Sequence, residues 1–337
     1  MNSNWLQVVP ETLQEKTQNA VRATFGESAV TSIRRIQGGA SGALTYCIDV
    51  GDKPYLLRLE THRSPLRNPH QYACMKTAAD AGIAPPVRYA DDAAGIAIID
   101  FIDMLPLEDF PGGAVALAQA LGELTTRLQN TVPFPRLADF RVLVERMVSY
   151  LRRYFAPGLL DAHIEGLELI KQSLRWDESE HRSSHNDPGP QNILFDGTRL
   201  WMIDWETAYR NDPLVDVAII ADNFARTPEP EAALLASWLG RTPDKAMVAR
   251  LSLMRQLTRL YYAGLLLTSV SKAAEGSVMT DLAAPTPDEF RSLVANGVLA
   301  AGAVDTKCAL GKVFLAGFLS TLATPAFRES VVVAKGA

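Results

Sequence analysis

Between Val30 and Phe101 the apolar residues of this chain come in short alternating runs, and beyond Phe101 they recur every three or four positions. A period of two builds strands and a period near 3.6 builds helices, so such a chain must segregate its sheet from most of its helices. The runs Val30 to Ile36, Leu44 to Val50 and Tyr55 to Leu59, with a Gly51-Asp52-Lys53 turn, predict an antiparallel sheet. Further strands are expected at Val87 to Tyr89 and Gly95 to Phe101, and helices over 11–25 and 68–81, the second closed by Gly82. Past Phe101, Val115, Leu117, Leu121, Leu124 and Leu128 mark one helix, with others over 139–154, 159–175, 248–265, 286–303 and 308–322. Two short strands, Ile193 to Phe195 and Leu200 to Ile203, break this helical run around an Asp196-Gly197 turn. The expected class is α+β, with a small N-terminal lobe of antiparallel sheet plus helix over 1–101 and a larger, mainly helical C-terminal lobe over 102–337. A chain of 337 residues exceeds the roughly 250 to 300 residues at which single cores stop growing.

Composition removes several classes of function. A net charge of -5 and the lack of any Lys/Arg cluster argue against a nucleic-acid surface. Cys47, Cys74 and Cys308 are far apart and lack C-x-x-C spacing, which suggests reduced thiols and neither a disulfide framework nor zinc. The start, Met1-Asn-Ser-Asn-Trp5, has no basic leader or apolar run, and the apolar stretch Val313 to Leu319 falls short of the roughly 20 residues a spanning helix needs. A cytoplasmic protein without a membrane partner is the expectation.

The chemistry concentrates in His185-Asn186-Asp187-Pro188-Gly189-Pro190-Gln191-Asn192, followed by the hairpin and Ile203-Asp204-Trp205-Glu206. Phosphoryl transfer needs an acceptor for the incoming hydroxyl proton and oxygen ligands for magnesium, which keeps several positions for water and phosphate. Asp187, Asn192 and Asp204 supply that set, and the hairpin would bring Asn192 and Asp204 together. Alone, each residue reads equally well as an Asx-turn or a strand end; the three with a hairpin between them do not. His185 is expected to brace the loop. A non-haem iron site would need a further His, and none follows His185. Gly38-Gly39-Ala40-Ser41-Gly42 lies between two strands, so its backbone amides, at Gly39, Ser41 and Gly42, can approach phosphates. It is neither a Rossmann fingerprint, which must open a helix, nor a Walker A loop, which needs G-K-[ST].

These segments, with Asn211-Asp212-Pro213 and Asp216-Val217-Ala218, resemble the aminoglycoside phosphotransferase and choline kinase superfamily, the choline-kinase-like branch in particular. The resemblance covers roughly residues 30 to 270 and implies a two-lobed protein-kinase-like fold using ATP and Mg2+. It implies Asp187 as catalytic base, Asn192 and Asp204 as metal ligands, and Arg58 as the cation that contacts the donor phosphates. It further implies Ile99, Asp100, Phe101 and Ile102 as the hinge against an adenine edge, and a structural Asp216. An Arg inside an apolar strand would be costly without such a partner. The sequence departs from the pattern at Gln71, where the family has a Glu to pair with the strand cation, and no Glu occurs between Thr61 and Ile98.

For the acceptor, Glu206 with Trp205 and Tyr209 would suit a compact cationic amino alcohol such as choline or ethanolamine, and Asp187 would meet its hydroxyl. Tyr261 on the long helix reads as core. An aminoglycoside or sugar kinase, and a catalytically silent nucleotide-binding module of the same fold, stay open as alternatives.

Overall fold

The computed structural model describes residues 4–26, 30–36, 42–61, 68–273 and 278–336. Gly39 and Ser41 lie outside the described residues. In chain order the elements are α1 (Glu11–Phe25), β1 (Val30–Ile36), β2 (Ala43–Val50), β3 (Lys53–Glu60), α2 (Gln71–Asp80), β4 (Val87–Asp91) and β5 (Ile96–Asp100). Then come α3 (Gly113–Gln129), α4 (Phe140–Leu151), α5 (Asp161–Ser173), β6 (Arg182–Ser184), β7 (Ile193–Phe195), β8 (Leu200–Met202) and β9 (Tyr209–Asn211). The rest is helical: α6 (Leu214–Phe224), α7 (Pro228–Leu239), α8 (Lys245–Ala273), α9 (Pro287–Ala295), α10 (Val304–Leu322) and α11 (Pro325–Lys335).

By contacts the chain divides into two compact units, one of residues 1–137, 182–210 and 223–240, the other of 138–181, 211–222 and 241–337. The boundary drawn on the sequence at Phe101 is a different line, because the loop after β6 and its hairpin pack with the sheet-bearing unit. In that unit the sheet runs β1-β2-β3-β5-β4, with every pair antiparallel. Its alternation decides which side chains reach the core. Leu57 and Leu59 of β3 are fully buried with Tyr46, Ile48, Ile96 and Ile98, and Ala20 and Val21 of α1 complete that cluster. Arg58 and Glu60, between and beyond the two leucines, therefore share the opposite face. Two small sheets complete the unit's strands, β6 with β9 and β7 with β8.

In the other unit α8 is the central helix and packs against α4, α10 and α11. Small residues allow the close approach: a Cβ on Gly311 would fall 2.6 Å from Leu267 Cγ, and one on Gly264 2.7 Å from Met147 Cβ. Asp139 caps α4 by accepting from the amides of Arg141 and Val142. The helix expected over 286–303 is only α9. It opens with a capping box between Thr286 and Glu289 and ends before Gly297, whose φ of 72° is left-handed. From Val278 to Ala303 no side chain is buried. Among the described residues no single helix is long and apolar enough to cross a membrane, and α10 with α11 pass that test only as a pair bent by 75°.

Candidate active site

The loop after β6 is held from beneath by backbone acceptors. His185 is fully buried, and its Nε2 lies 2.8 Å from the Ile203 carbonyl, which fixes the proton on that nitrogen. Burial lowers its pKa, so the ring is neutral and braces the loop. Asn186 takes a left-handed φ of 64° and donates from Nδ2 to the carbonyls of Thr207 at 3.0 Å and Tyr209 at 3.3 Å. These bonds turn Asp187 out at the top of the loop. Asn192 is buried, and its Nδ2 donates to the Asp187 carbonyl at 2.8 Å and to Asp187 Oδ2 at 3.0 Å. One amide thus orients the carboxylate and keeps its own oxygen for another partner. The β7–β8 register of Ile193 with Met202 continues in a 3.0 Å bond from the Ile203 amide to the Asn192 carbonyl. The hairpin brings Asp204 within one residue of the position opposite Asn192.

Asp204 also has a left-handed φ of 64°, a conformation that costs a non-glycine residue about 1 kcal/mol or more and persists where surroundings fix it. Its Oδ1 is buried and makes no hydrogen bond among the described residues, although Arg58 Nη2 is 3.2 Å away. An anionic oxygen withdrawn from water and short of donors is a fitting ligand for a hard divalent cation, and Asn192 adds a second oxygen. The described residues contain no group of three or more His, Cys, Asp or Glu able to hold a metal by themselves.

Arg58 is the most heavily committed charge here. Its side chain is 16% exposed, and the same Nη2 lies 3.1 Å from Glu206 Oε2 in hydrogen-bond geometry. Burial alone would lower the guanidinium's pKa, but Asp204, Tyr72, Glu206 and Glu60 hold it above the ordinary arginine range. The position of Gln71 is explained by Glu60: Gln71 Nε2 donates to Glu60 Oε1, so this residue of α2 meets the carboxylate two residues along β3 and not the arginine. Tyr72 is buried beside the same groups, and burial followed by Glu60 pushes its phenol well above the usual range.

Other sequence-predicted residues are placed differently from expectation. Trp205, expected to face an acceptor, is 3% exposed and packs against His185 at 4.8 Å and Phe134 at 6.1 Å between ring centroids. An indole of that size between two rings of its own unit is core. Tyr209 is buried in β9 as well. Glu206, given to the same acceptor, has its carboxylate on Arg58. Asp212 caps α6 through its Oδ1 and the Leu214 amide at 2.8 Å, and Asp216 is buried in the first turn of that helix. Tyr261 is core, 5.3 Å from Phe140.

At the hinge, Ile99 is paired with Leu56 and Asp100 takes two 2.6 Å bonds from Arg88. Phe101 and Ile102 make no backbone–backbone hydrogen bond among the described residues. Gly42 opens toward β2, its carbonyl accepting from Thr61 at 2.9 Å. Asn68 was not singled out in the sequence. Its amide donates to the Glu206 carbonyl at 2.9 Å and its Nδ2 to the Ala208 carbonyl at 2.5 Å. Glu60 was also missed, although its alternation with Arg58 could have revealed it.

Solved structures of similar fold include a choline/ethanolamine kinase family protein from Mesorhizobium loti, at a TM-score of 0.69 and 18% identity over 96% of this chain and 100% of that one. They include choline kinase LicA from Streptococcus pneumoniae, at 0.63 and 16% over 92% and 100%. A spectinomycin phosphotransferase solved with ADP and spectinomycin gives 0.55 and 14% over 88% and 98%. The fold is therefore the α+β kinase-like fold. In sequence, 61 residues are 39% identical to the protein LicA of Haemophilus influenzae, 18% of this chain and 23% of that protein. A further 28% identity over 118 residues, 34% of this chain, links it to an uncharacterized protein of Metamycoplasma hominis. The chain spans only 23% of the length of these curated relatives. The phosphotransferase enzyme family, APH, matches residues 32–249. That match covers more than half of the sequence and takes in Arg58, the Asp187 loop and Asp204, and so the chain belongs to the phosphotransferase enzyme family.

Proposed function

We propose that the protein is an ATP- and magnesium-dependent kinase that transfers the γ-phosphoryl group to a hydroxyl of a small molecule. The observation that carries this reading is the Asn192 amide bonded to the Asp187 carboxylate while Asp204, across the hairpin, keeps a buried oxygen without a hydrogen bond among the described residues. Asp187 takes the proton of the incoming hydroxyl, and Asn192 holds its carboxylate in line for that transfer. Arg58 meets the donor phosphates bidentately, as a guanidinium can. Phe101 and Ile102 offer backbone groups to the base. Magnesium bound through Asn192 and Asp204 would neutralise charge on the transferring group.

For the acceptor we favour an amino alcohol of the choline or ethanolamine kind. Its support is the likeness to the choline and ethanolamine kinases, not Trp205, which is core, nor Glu206, which meets Arg58. The likeness to a spectinomycin phosphotransferase keeps aminoglycosides as the second reading. Choline, ethanolamine, several aminoglycosides and neutral sugars, each assayed for acceptor-dependent ADP release with and without magnesium, test both. Turnover with an amino alcohol is expected, and nucleotide binding without turnover on any of them would favour a silent module.

A further inference from the structure

We infer that Glu206 is the positioning residue of Arg58, supplying from the loop after Asp204 the carboxylate that α2 lacks. The inference rests on the reading of Arg58 as the cation for the donor phosphates. In a kinase-like site the strand cation needs an acidic partner to hold it toward phosphate, a carboxylate on the neighbouring helix in protein kinases. Here α2 opens with Gln71, whose amide is spent on Glu60, and next to it brings Tyr72 beside Arg58, so the helix offers the arginine a phenol and no carboxylate.

Two carboxylates meet the same Arg58 nitrogen, and they are not equivalent. Asp204 Oδ1 is 3.2 Å away without hydrogen-bond geometry, whereas Glu206 Oε2 at 3.1 Å accepts a hydrogen bond. Were Asp204 to hold a metal, its share in the pair would fall, and Glu206 would remain as the anion that orients the guanidinium. Its side chain is 23% exposed, little enough for the pair to act in a low dielectric and open enough for a phosphate to approach.

The backbone of Glu206 is fixed independently of this pair. Its carbonyl accepts from the Asn68 amide at 2.9 Å, Asn68 Nδ2 holds Ala208 at 2.5 Å, and Asn68 Oδ1 accepts from the His70 amide at 2.7 Å at the head of α2. The head of α2 is thereby tied through Asn68 to Glu206, so the helix that brings no carboxylate to the strand cation still fixes the loop that does. This makes Glu206 a determinant of donor affinity, in place of the acceptor role expected from its sequence position.

The test is a double-mutant cycle read by calorimetric titration of ADP with magnesium into the full chain, which needs no acceptor. Parent, Glu206→Gln, Arg58→Gln and the double variant are compared, each with its melting temperature. Loss of a charge-assisted bond of this kind corresponds to roughly ten-fold weaker binding. Glu206→Gln is expected to bind about ten-fold more weakly, and the double variant no more weakly than Arg58→Gln alone, because the two side chains act as one unit. Glu206→Asp, which keeps the charge and withdraws it by one methylene, is expected to fall between parent and Glu206→Gln and serves if the latter does not fold. A parent that binds while Glu206→Gln binds equally well, or losses that multiply in the double variant, overturns the inference and leaves the donor reading standing. A parent that does not bind the nucleotide overturns both.

Discussion

At the scale of single residues the proposed function assigns proton transfer and donor binding to different side chains, so substitutions can separate them. Asp187→Asn keeps the size of the side chain and removes its basicity. It is expected to lower kcat by about 100-fold or more while ADP affinity, measured by the same calorimetry, changes little; equal turnover would remove Asp187 from the reaction. Asp204→Ala touches the other function. Its buried Oδ1, without a hydrogen bond, is the group a divalent ion would satisfy, so the variant is expected to bind ADP equally with and without magnesium, where the parent binds more tightly with it. A variant that keeps the full magnesium enhancement would show that Asp204 is not a ligand.

At the scale of elements, α10 contains two glycines whose substitution should act in opposite directions. In Gly311→Ala the new Cβ would lie 2.6 Å from Cγ and 2.9 Å from Cδ2 of Leu267, a fully buried side chain with no room to withdraw. Overpacking of that order costs about 1 to 3 kcal/mol, more than the roughly 1 kcal/mol that alanine gains over glycine within a helix. The melting temperature should fall. Gly317 has no atom within 4 Å of a built Cβ, so Gly317→Ala keeps the helical gain without the clash and should stabilise by about 0.5 to 1 kcal/mol. Denaturant titration of both variants checks the pair, and equal shifts in one direction would show that the α8–α10 contact does not set the outcome.

At the scale of the whole molecule, stability should decline as the pH falls from neutrality, and His163 is one identifiable cause. The ring is fully buried, its Nε2 lies 3.2 Å from the Leu315 carbonyl, and it stacks on Phe318. Burial lowers its pKa below the ordinary histidine value. A base depressed in the folded state binds fewer protons there than in the unfolded chain. Its stability contribution is thus complete above about pH 6.5 and is lost as the pH falls toward the folded value, at no more than about 1.4 kcal/mol per pH unit. Asp212 works in the opposite sense, since burial raises its carboxyl. Comparing melting curves of the parent and His163→Gln between pH 7.5 and 5.5 isolates the histidine; the variant's slope should be flatter, and an unchanged slope would assign the decline elsewhere. Much of this architecture was legible in the sequence, for reasons tied to particular residues. The alternating run from Tyr55 to Leu59 marked the strand that carries Arg58, and the spacing from Asp187 through Asn192 and the hairpin to Asp204 marked the loop on which the candidate site is built. The pairing of Arg58 with Glu206 was not legible, because 148 positions separate them and no local pattern encodes a contact between sheet and loop. Trp205 was misread for the converse reason. It sits beside Asp204 in sequence, yet the short helical turn over Trp205–Thr207 directs its ring into the interior.

The stretch from Val278 to Ala303, without one buried side chain, has a consequence for how such a chain can diversify. It is tied down near its start, by the pairing of Met279 with Phe155 and by Lys312 on Asp281 at 2.8 Å, and rejoins the packed helices at α10. Its length and composition can drift without reopening the core, since substitutions there meet neither packing constraints nor buried polar partners. Selection on this excursion is thereby uncoupled from selection for folding, which leaves the protein a surface on which new properties can accumulate at little risk to the old ones.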